Sequence, residues 1–296
     1  MTTTPARAIG AAIEAFTGQV YFSPECHTRY AALGFAPSGA EVRGVAMPDG
    51  PAYFCSRGSL MGQVPADLIA AAFAVFNPDA VAAAVAHGWS LTDATTICAE
   101  RTAGAIEQLE RILGPEPEGI GRALELVERA AADLRPEGRP LYAGTRSQPR
   151  PPTTLGATWW LADQLREYRG DVHTAAWTTA GVDATEMGLL TELYWGLPMR
   201  SYSRTRAWTD DQFDAAEARL AARGLVDAGA LTAAGLAFRE DIEIATDRGC
   251  QPIVDALGDD LDEFCDLMNG WSQTIRAAFG YPASGPHDLA GERANG

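Results

Sequence analysis

Apolar residues recur at three- and four-residue steps along most of the chain, the spacing of helices with one buried face. Residues 66–87, "ADLIAAAFAVFNPDAVAAAVAH", show it in an alanine-rich stretch broken once at Asn77-Pro78, where proline ends one helix or opens the next. Residues 92–113 set Cys98, Ala105, Ile106, Leu109 and Leu113 on one stripe, with Thr92 as the expected N-cap and Gly114-Pro115 as the stop. A further amphipathic helix is expected over 119–134, before Pro136. The Pro-, Gly- and Arg-rich stretch 135–154 reads as a linker or, since Leu141-Tyr142 is apolar, as an ordered crossing segment; the likeness of 139–185 to 51–95 favours the second.

The sharpest local pattern covers residues 208–248. Thr209 caps a helix with Asp210 and Asp211 in its first turn, and Phe213, Ala216 and Leu220 mark its inner face. Gly224 stops it, "LVDAGALT" turns at Ala228-Gly229 as a hairpin, and Thr232 caps a last helix through Phe238, Ile242 and Ile244.

Two stretches also resemble each other. Residues 51–95 and 139–185 each begin with a short, aromatic-bearing extended piece and continue into Ser56-Arg57 or Thr145-Arg146. Each then runs through a Pro-containing loop and an apolar helix to a break, at Asn77-Pro78-Asp79 in one and Arg169-Gly170-Asp171 in the other. The expected fold is therefore mostly α: two pseudo-symmetric winged-helix-like units packed together, with small β-hairpin wings. The units would be 1–138 and 139–250, followed by a helical segment 251–280 and a disordered tail 281–296.

Composition narrows the chemistry. No run of 18 apolar residues spans a membrane, and "MTTTPARAIGAAIEAF" lacks the basic start and apolar core of a secretion signal, so a cytoplasmic protein is expected. Cys26, Cys55, Cys98, Cys250 and Cys265 form no CxxC and read as buried hydrophobes. The net charge of −16 disfavours phosphate backbones and acidic membranes as partners. All 23 basic residues are arginine, which excludes a Schiff-base lysine, a pyridoxal-phosphate anchor and a P-loop lysine.

"ARLAARGLVD" (218–227) and "GALTAAGLAFREDIEIATDR" (229–248), above all Arg223-Gly224-Leu225-Val226, Leu231-Thr232 and Gly235, resemble the winged-helix segment of MarR-like regulators. Over most of its length the chain also resembles an actinobacterial family marked by its helix-turn-helix character. "VYFSPE" (20–25), "FNPDAV" (76–81), "GRPLYA" (138–143), "LREYRGDVH" (165–173) and "RGLVDAGALTAAG" (223–235) carry that likeness. The resemblance implies a winged helix and, with it, DNA binding. The residues themselves oppose the second implication. Residues 208–224 hold Asp210, Asp211, Asp214 and Glu217 against Arg219 and Arg223, the wrong balance for phosphate, and "VDAGA" offers no basic wing.

Among the four histidines, His173 has the most suggestive neighbours: Arg166, Arg169 and Asp171, with Trp159, Trp160 and Trp177 close in sequence. It is either a satisfied core histidine or a cleft residue acting as general base, hydrogen-bond partner, or axial ligand to a metal or haem. Gly170 would permit a sharp turn there, with Asp171 capping the new helix. Cys26-His27 points in two directions on one helix, His87 suits a helix C-terminus, and His287 falls in the expected tail. No metal motif, GxSxG or GxGxxG is present, and no cofactor is specified. Aromatics interleaved with Arg166, Arg169, Arg200, Arg204 and Arg206 suit either core packing or a pocket for a planar or polar ligand.

The function expected from the residues is binding of a small organic molecule, aromatic or polar, near the unit interface, with no nucleic acid and no membrane as partner. Arg166, Arg169, Asp171, His173, Trp159, Trp160, Trp177, Tyr194 and Trp195 would line the site, with His173 as the candidate catalytic group. Two alternatives stand: a ligand-responsive MarR-like transcription regulator, and an enzyme of specialised metabolism using His173 as acid/base or as haem or metal ligand.

Overall fold

The computed structural model describes residues 4–38 and 41–289. Among them the chain forms α1 Pro5–Gly18, α2 Pro24–Ala32, a hairpin of β1 Glu41–Val42 and β2 Val45–Ala46, α3 Gly50–Gly58, α4 Ala66–Phe73, α5 Pro78–Leu91, α6 Ala94–Leu113 and α7 Ile120–Ala131. There follow α8 Pro140–Ser147, α9 Thr154–Thr179, α10 Ala184–Tyr194, α11 Asp210–Ala222, a second hairpin of β3 Val226–Asp227 and β4 Ala230–Leu231, α12 Ala233–Gly249, α13 Gln251–Leu257 and α14 Leu261–Ala277. The architecture is mostly helical with two small antiparallel pairs, registered Val42↔Val45 and Val226↔Leu231. Residues 290–296 of the expected tail lie outside the described residues.

Local chemistry sets most boundaries. Thr4-Pro5, Ser23-Pro24 and Asn77-Pro78 each pair a capping side chain with a proline whose missing N–H is not needed in the first turn. Thr209 forms a capping box with Gln212, and Ala228-Gly229, both at positive φ, make the tight turn of the second hairpin. Gly235 explains its place in the 223–235 block: a Cβ there would sit 1.9 Å from the Leu225 carbonyl oxygen, so any side chain would push α12 off the wing.

The 26-residue α9 runs through the middle, with fifteen of its residues buried, and packs against α1, α7, α8 and α12. α14 lies along α1, so Phe264, Met268 and Ile275 enter the same core as Ile9 and Phe16. A second core joins Trp177 to α10, α11 and β3, and a third joins α3, α4 and α5. Each fully buried Leu, Ile or Phe stabilises such a core by roughly 1.5–3 kcal/mol.

Five expectations are corrected. α9 does not break at Gly170-Asp171; it runs unbroken where the compared stretch has separate α4 and α5. A glycine inside a helix costs only about 1 kcal/mol, which the burial of α9 outweighs. Asp171 consequently caps no new helix. The openings of the two compared stretches are helical, α3 and α8, not extended. Asp93 rather than Thr92 caps α6, because its carboxylate accepts the Thr96 N–H at 2.9 Å. Tyr281 is no tail residue: it is buried, edge-on to Phe22 with ring centroids 5.4 Å apart.

Candidate functional site

A cleft of about 660 Å³ opens between α1 and α9 on one side and α10, the 203–206 turn and α12 on the other. α1 contributes Arg7, Gly10 and Glu14 at helical spacing; α9 contributes Arg166, Arg169, Gly170 and His173. Gly10 leaves room for Arg169, whose Cδ would lie 3.0 Å from a Cβ at that position. At Gly170 an added Cβ would meet only Glu167 Oε2 at 3.9 Å, so the helix is bare of side chain where it faces the opening.

His173 sits in the wall with about a fifth of its side chain exposed, 22%. Its Nδ1 is 3.0 Å from Thr246 Oγ1, and that hydroxyl gives its own proton to the Ile242 carbonyl at 2.9 Å. The imidazole therefore donates from Nδ1 and keeps its lone pair on Nε2. Burial pushes its pKa down to about 3; Glu243, with Oε1 4.0 Å away, pulls upward, while Arg239 and Arg169 push down. The ring is thus a neutral acceptor near pH 7 and a weak base.

Glu243 is the hub beside it. Arg239 Nη2 donates to Oε1 at 2.7 Å and Arg169 Nη2 to Oε2 at 3.0 Å. Burial works to raise this carboxyl, but the surrounding charges and hydrogen bonds, Arg239 first among them, together outweigh it and hold the pKa at about 2. Arg239 is itself buried, its guanidinium 4.7 Å from the Tyr194 ring centroid. Its Nε and Nη1 donate to no acceptor among the described residues. A buried donor without an acceptor costs about 1–3 kcal/mol, so the pairing of Nη2 with Glu243 has to offset that cost.

Deeper, Arg101, Arg166 and Arg57 form their ion pairs, among the described residues, with Asp163 and Glu167. Arg101 pairs with Asp163 at 2.7 Å, Arg57 with Glu167 at 2.7 Å, and Arg166 reaches both at 2.8 and 2.6 Å. Burial works to raise Glu167, yet Arg166 and Arg57 hold it below the usual carboxylate range. Three cations facing two carboxylates leave one positive charge in excess.

Of the nine residues expected at the site, Arg166, Arg169, His173, Tyr194 and Trp195 line this cleft. The other four do not. Asp171 turns to α8. Trp159 is buried, with Nε1 donating to the Thr17 carbonyl at 3.4 Å. Trp160 donates to the Thr145 carbonyl at 3.1 Å, and Trp177 belongs to the core of α10–α12. These three tryptophans are packing residues. Arg7, Gly10, Glu14, Arg57, Arg206, Arg239 and Glu243 also line the cleft and lay outside those nine. Arg239 and Glu243 carried a readable signal, because two charged residues interrupt the buried stripe Gly235, Ile242, Thr246 of α12. Among the described residues no three His, Cys, Asp or Glu side chains gather as metal ligands. His27 is buried with Nε2 3.1 Å from the Tyr21 carbonyl oxygen, and all five cysteines are free and buried. No described helix is long and apolar enough to cross a membrane.

No curated protein and no solved structure matches the chain. The model of a helix-turn-helix family matches residues 6–282, and over nearly its whole length the chain therefore belongs to that helix-turn-helix family.

Proposed function

We propose that this protein binds a small organic molecule in the cleft between α1, α9, α10 and α12, and that duplex DNA is not its partner. The observation that carries the reading is the wall of the cleft. A neutral His173 with an open Nε2 stands beside the Arg239–Glu243 ion pair, in a cavity of drug-ligand size. The lining comes from both 1–138 and 139–250, which supports a site at the junction of two units. The order helix–hairpin–helix occurs twice, as α2–β1–β2–α3 and α11–β3–β4–α12, which supports the two-unit, winged-helix and MarR-like description.

A second reading, a ligand-responsive regulator, is favoured by one observation: α10 lines the cleft and packs on α11, the first helix of the block 208–248. Its weakness is the charge on α11. As an enzyme, the protein would have in His173 a positioning acceptor rather than a strong base.

The test fills the cleft. Gly170→Leu projects a side chain into the opening and improves helix propensity by about 0.8–1 kcal/mol. Titration with the dye 1-anilinonaphthalene-8-sulfonate should show one saturable equivalent on the native chain. The variant, folded and at least as heat-stable, should bind none. Undiminished binding by that variant would place the site elsewhere.

A further inference from the structure

A second cavity, of about 340 Å³, adjoins the first and shares Glu14, Arg57, Arg166, Tyr202 and Arg206 with it. One wall is aromatic: Phe22, Tyr53, Phe54, Phe76 and Tyr281. Tyr53 packs on Phe54 and Phe76 with centroids 5.3 and 5.8 Å apart, so this wall is a connected apolar surface. At the junction stands Arg206. Its guanidinium lies 4.5 Å from the Phe76 centroid and 4.7 Å from that of Tyr202, and it donates to the Tyr202 hydroxyl. Of the six arginines that line the first cavity, Arg206 is the one without a carboxylate partner among the described residues. The excess charge of the Arg57, Arg101, Arg166 cluster borders the same junction. One acid opposes it: Glu14 faces both cavities and accepts the Tyr281 hydroxyl at 2.6 Å. Three arginines against that one carboxylate line the second cavity, in a chain whose net charge is −16.

We infer that the ligand is an apolar organic acid that spans both cavities, its carboxylate or sulfonate set on Arg206 at their junction and its ring-bearing body reaching from the cleft into the aromatic second cavity. This deepens the cleft reading and rests on it. A half-buried guanidinium without an acid partner favours an anionic group over a neutral one, and a planar fork pinned between rings is already oriented for it. The aromatic wall then selects for apolar, flat bodies by area and ring contact. A cationic molecule of the same shape would meet like charge, and a polar acid such as a sugar phosphate would leave hydroxyls without partners against phenylalanine.

Two dyes of one skeleton separate the claims: 1-anilinonaphthalene-8-sulfonate, and N-phenyl-1-naphthylamine, which lacks the sulfonate. The native chain should bind the sulfonate at least about tenfold more tightly, and Arg206→Gln should remove that preference while leaving the neutral dye unchanged. Arg206→Lys keeps the charge without the fork; it should retain part of the preference and serves if the glutamine variant does not fold. Equal affinity for both dyes on the native chain would overturn the assignment of an acid group while leaving the cleft reading intact. Binding of neither dye would overturn both.

Discussion

The carboxylate of Asp171 accepts the backbone N–H of Tyr142 at 2.9 Å, joining the middle of α9 to the first turn of α8 across 29 residues of sequence. α8 has no side-chain cap of its own, so Asp171 supplies one from a neighbouring helix. Burial raises the Asp171 pKa to about 7, against the pull of the Tyr142 N–H.

A raised pKa has a definite sign. Between about pH 4 and 7 the folded chain keeps a proton on Asp171 that the unfolded chain has released, so this residue's contribution is lost as pH rises through 7. Asp171→Asn keeps an acceptor for Tyr142 and removes the titration. Relative to the native chain, the variant should gain stability with pH over that interval, by at most about 1.4 kcal/mol per pH unit. Urea unfolding at several pH values measures it; a pH-independent difference would show that Asp171 is ionised throughout.

His173 acts in the opposite direction. With a folded pKa near 3, it stays neutral where the unfolded imidazole takes up a proton, so its contribution is lost as pH falls below about 6.5. Glu243, held near 2, adds its own loss only below about pH 4.5. His173→Gln should therefore flatten the acid side of the stability profile between about pH 6.5 and 4.5 and leave the steeper fall below it. The His173 ring protons should show no titration by NMR near neutral pH; an inflection near 6.5 would mean an exposed imidazole.

The cations around α11 are spoken for. Arg200 bridges to Asp214 at 2.6 Å and also to Glu217, Arg204 pairs with Asp210 at 3.0 Å, and Arg219 pairs with Glu186 at 2.8 Å and with Asp183. With Arg200, Arg204 and Arg219 engaged by carboxylates, α11 offers few phosphate contacts to release counterions. Fluorescence anisotropy with a random duplex at physiological salt should give binding weaker than the roughly 10⁻⁴–10⁻⁶ M of nonspecific binders. Micromolar, salt-sensitive binding would instead favour the regulator.

The block 208–248 was legible because its signals are local: a capping box, a positive-φ stop, a two-residue turn. The continuity of α9 was not, because the cost of Gly170 is local while the burial that overrides it comes from four other helices. That misplaced break obscured the site. On one unbroken helix, Arg166, Arg169, Gly170 and His173 share a face, while Trp160 and Asp171 point well away from it. Trp159 and Trp177 share the face but lie a turn or more beyond it, where α1 and the α10–α12 core cover them. Arg7, Arg57, Arg206 and Arg239 come from four separate elements, and no sequence spacing joins them.

The most direct test of the central claim locates the ligand. Amide ¹H–¹⁵N shifts followed during titration with 1-anilinonaphthalene-8-sulfonate should move, saturating together, at Gly10, Gly170, Gly188 and Arg206, which line the cleft. Residues of the outer face of α11, such as Asp211 and Ala218, should stay put. Shifts confined to exposed apolar residues such as Leu68 and Phe279, or spread without saturation, would contradict a binding cleft.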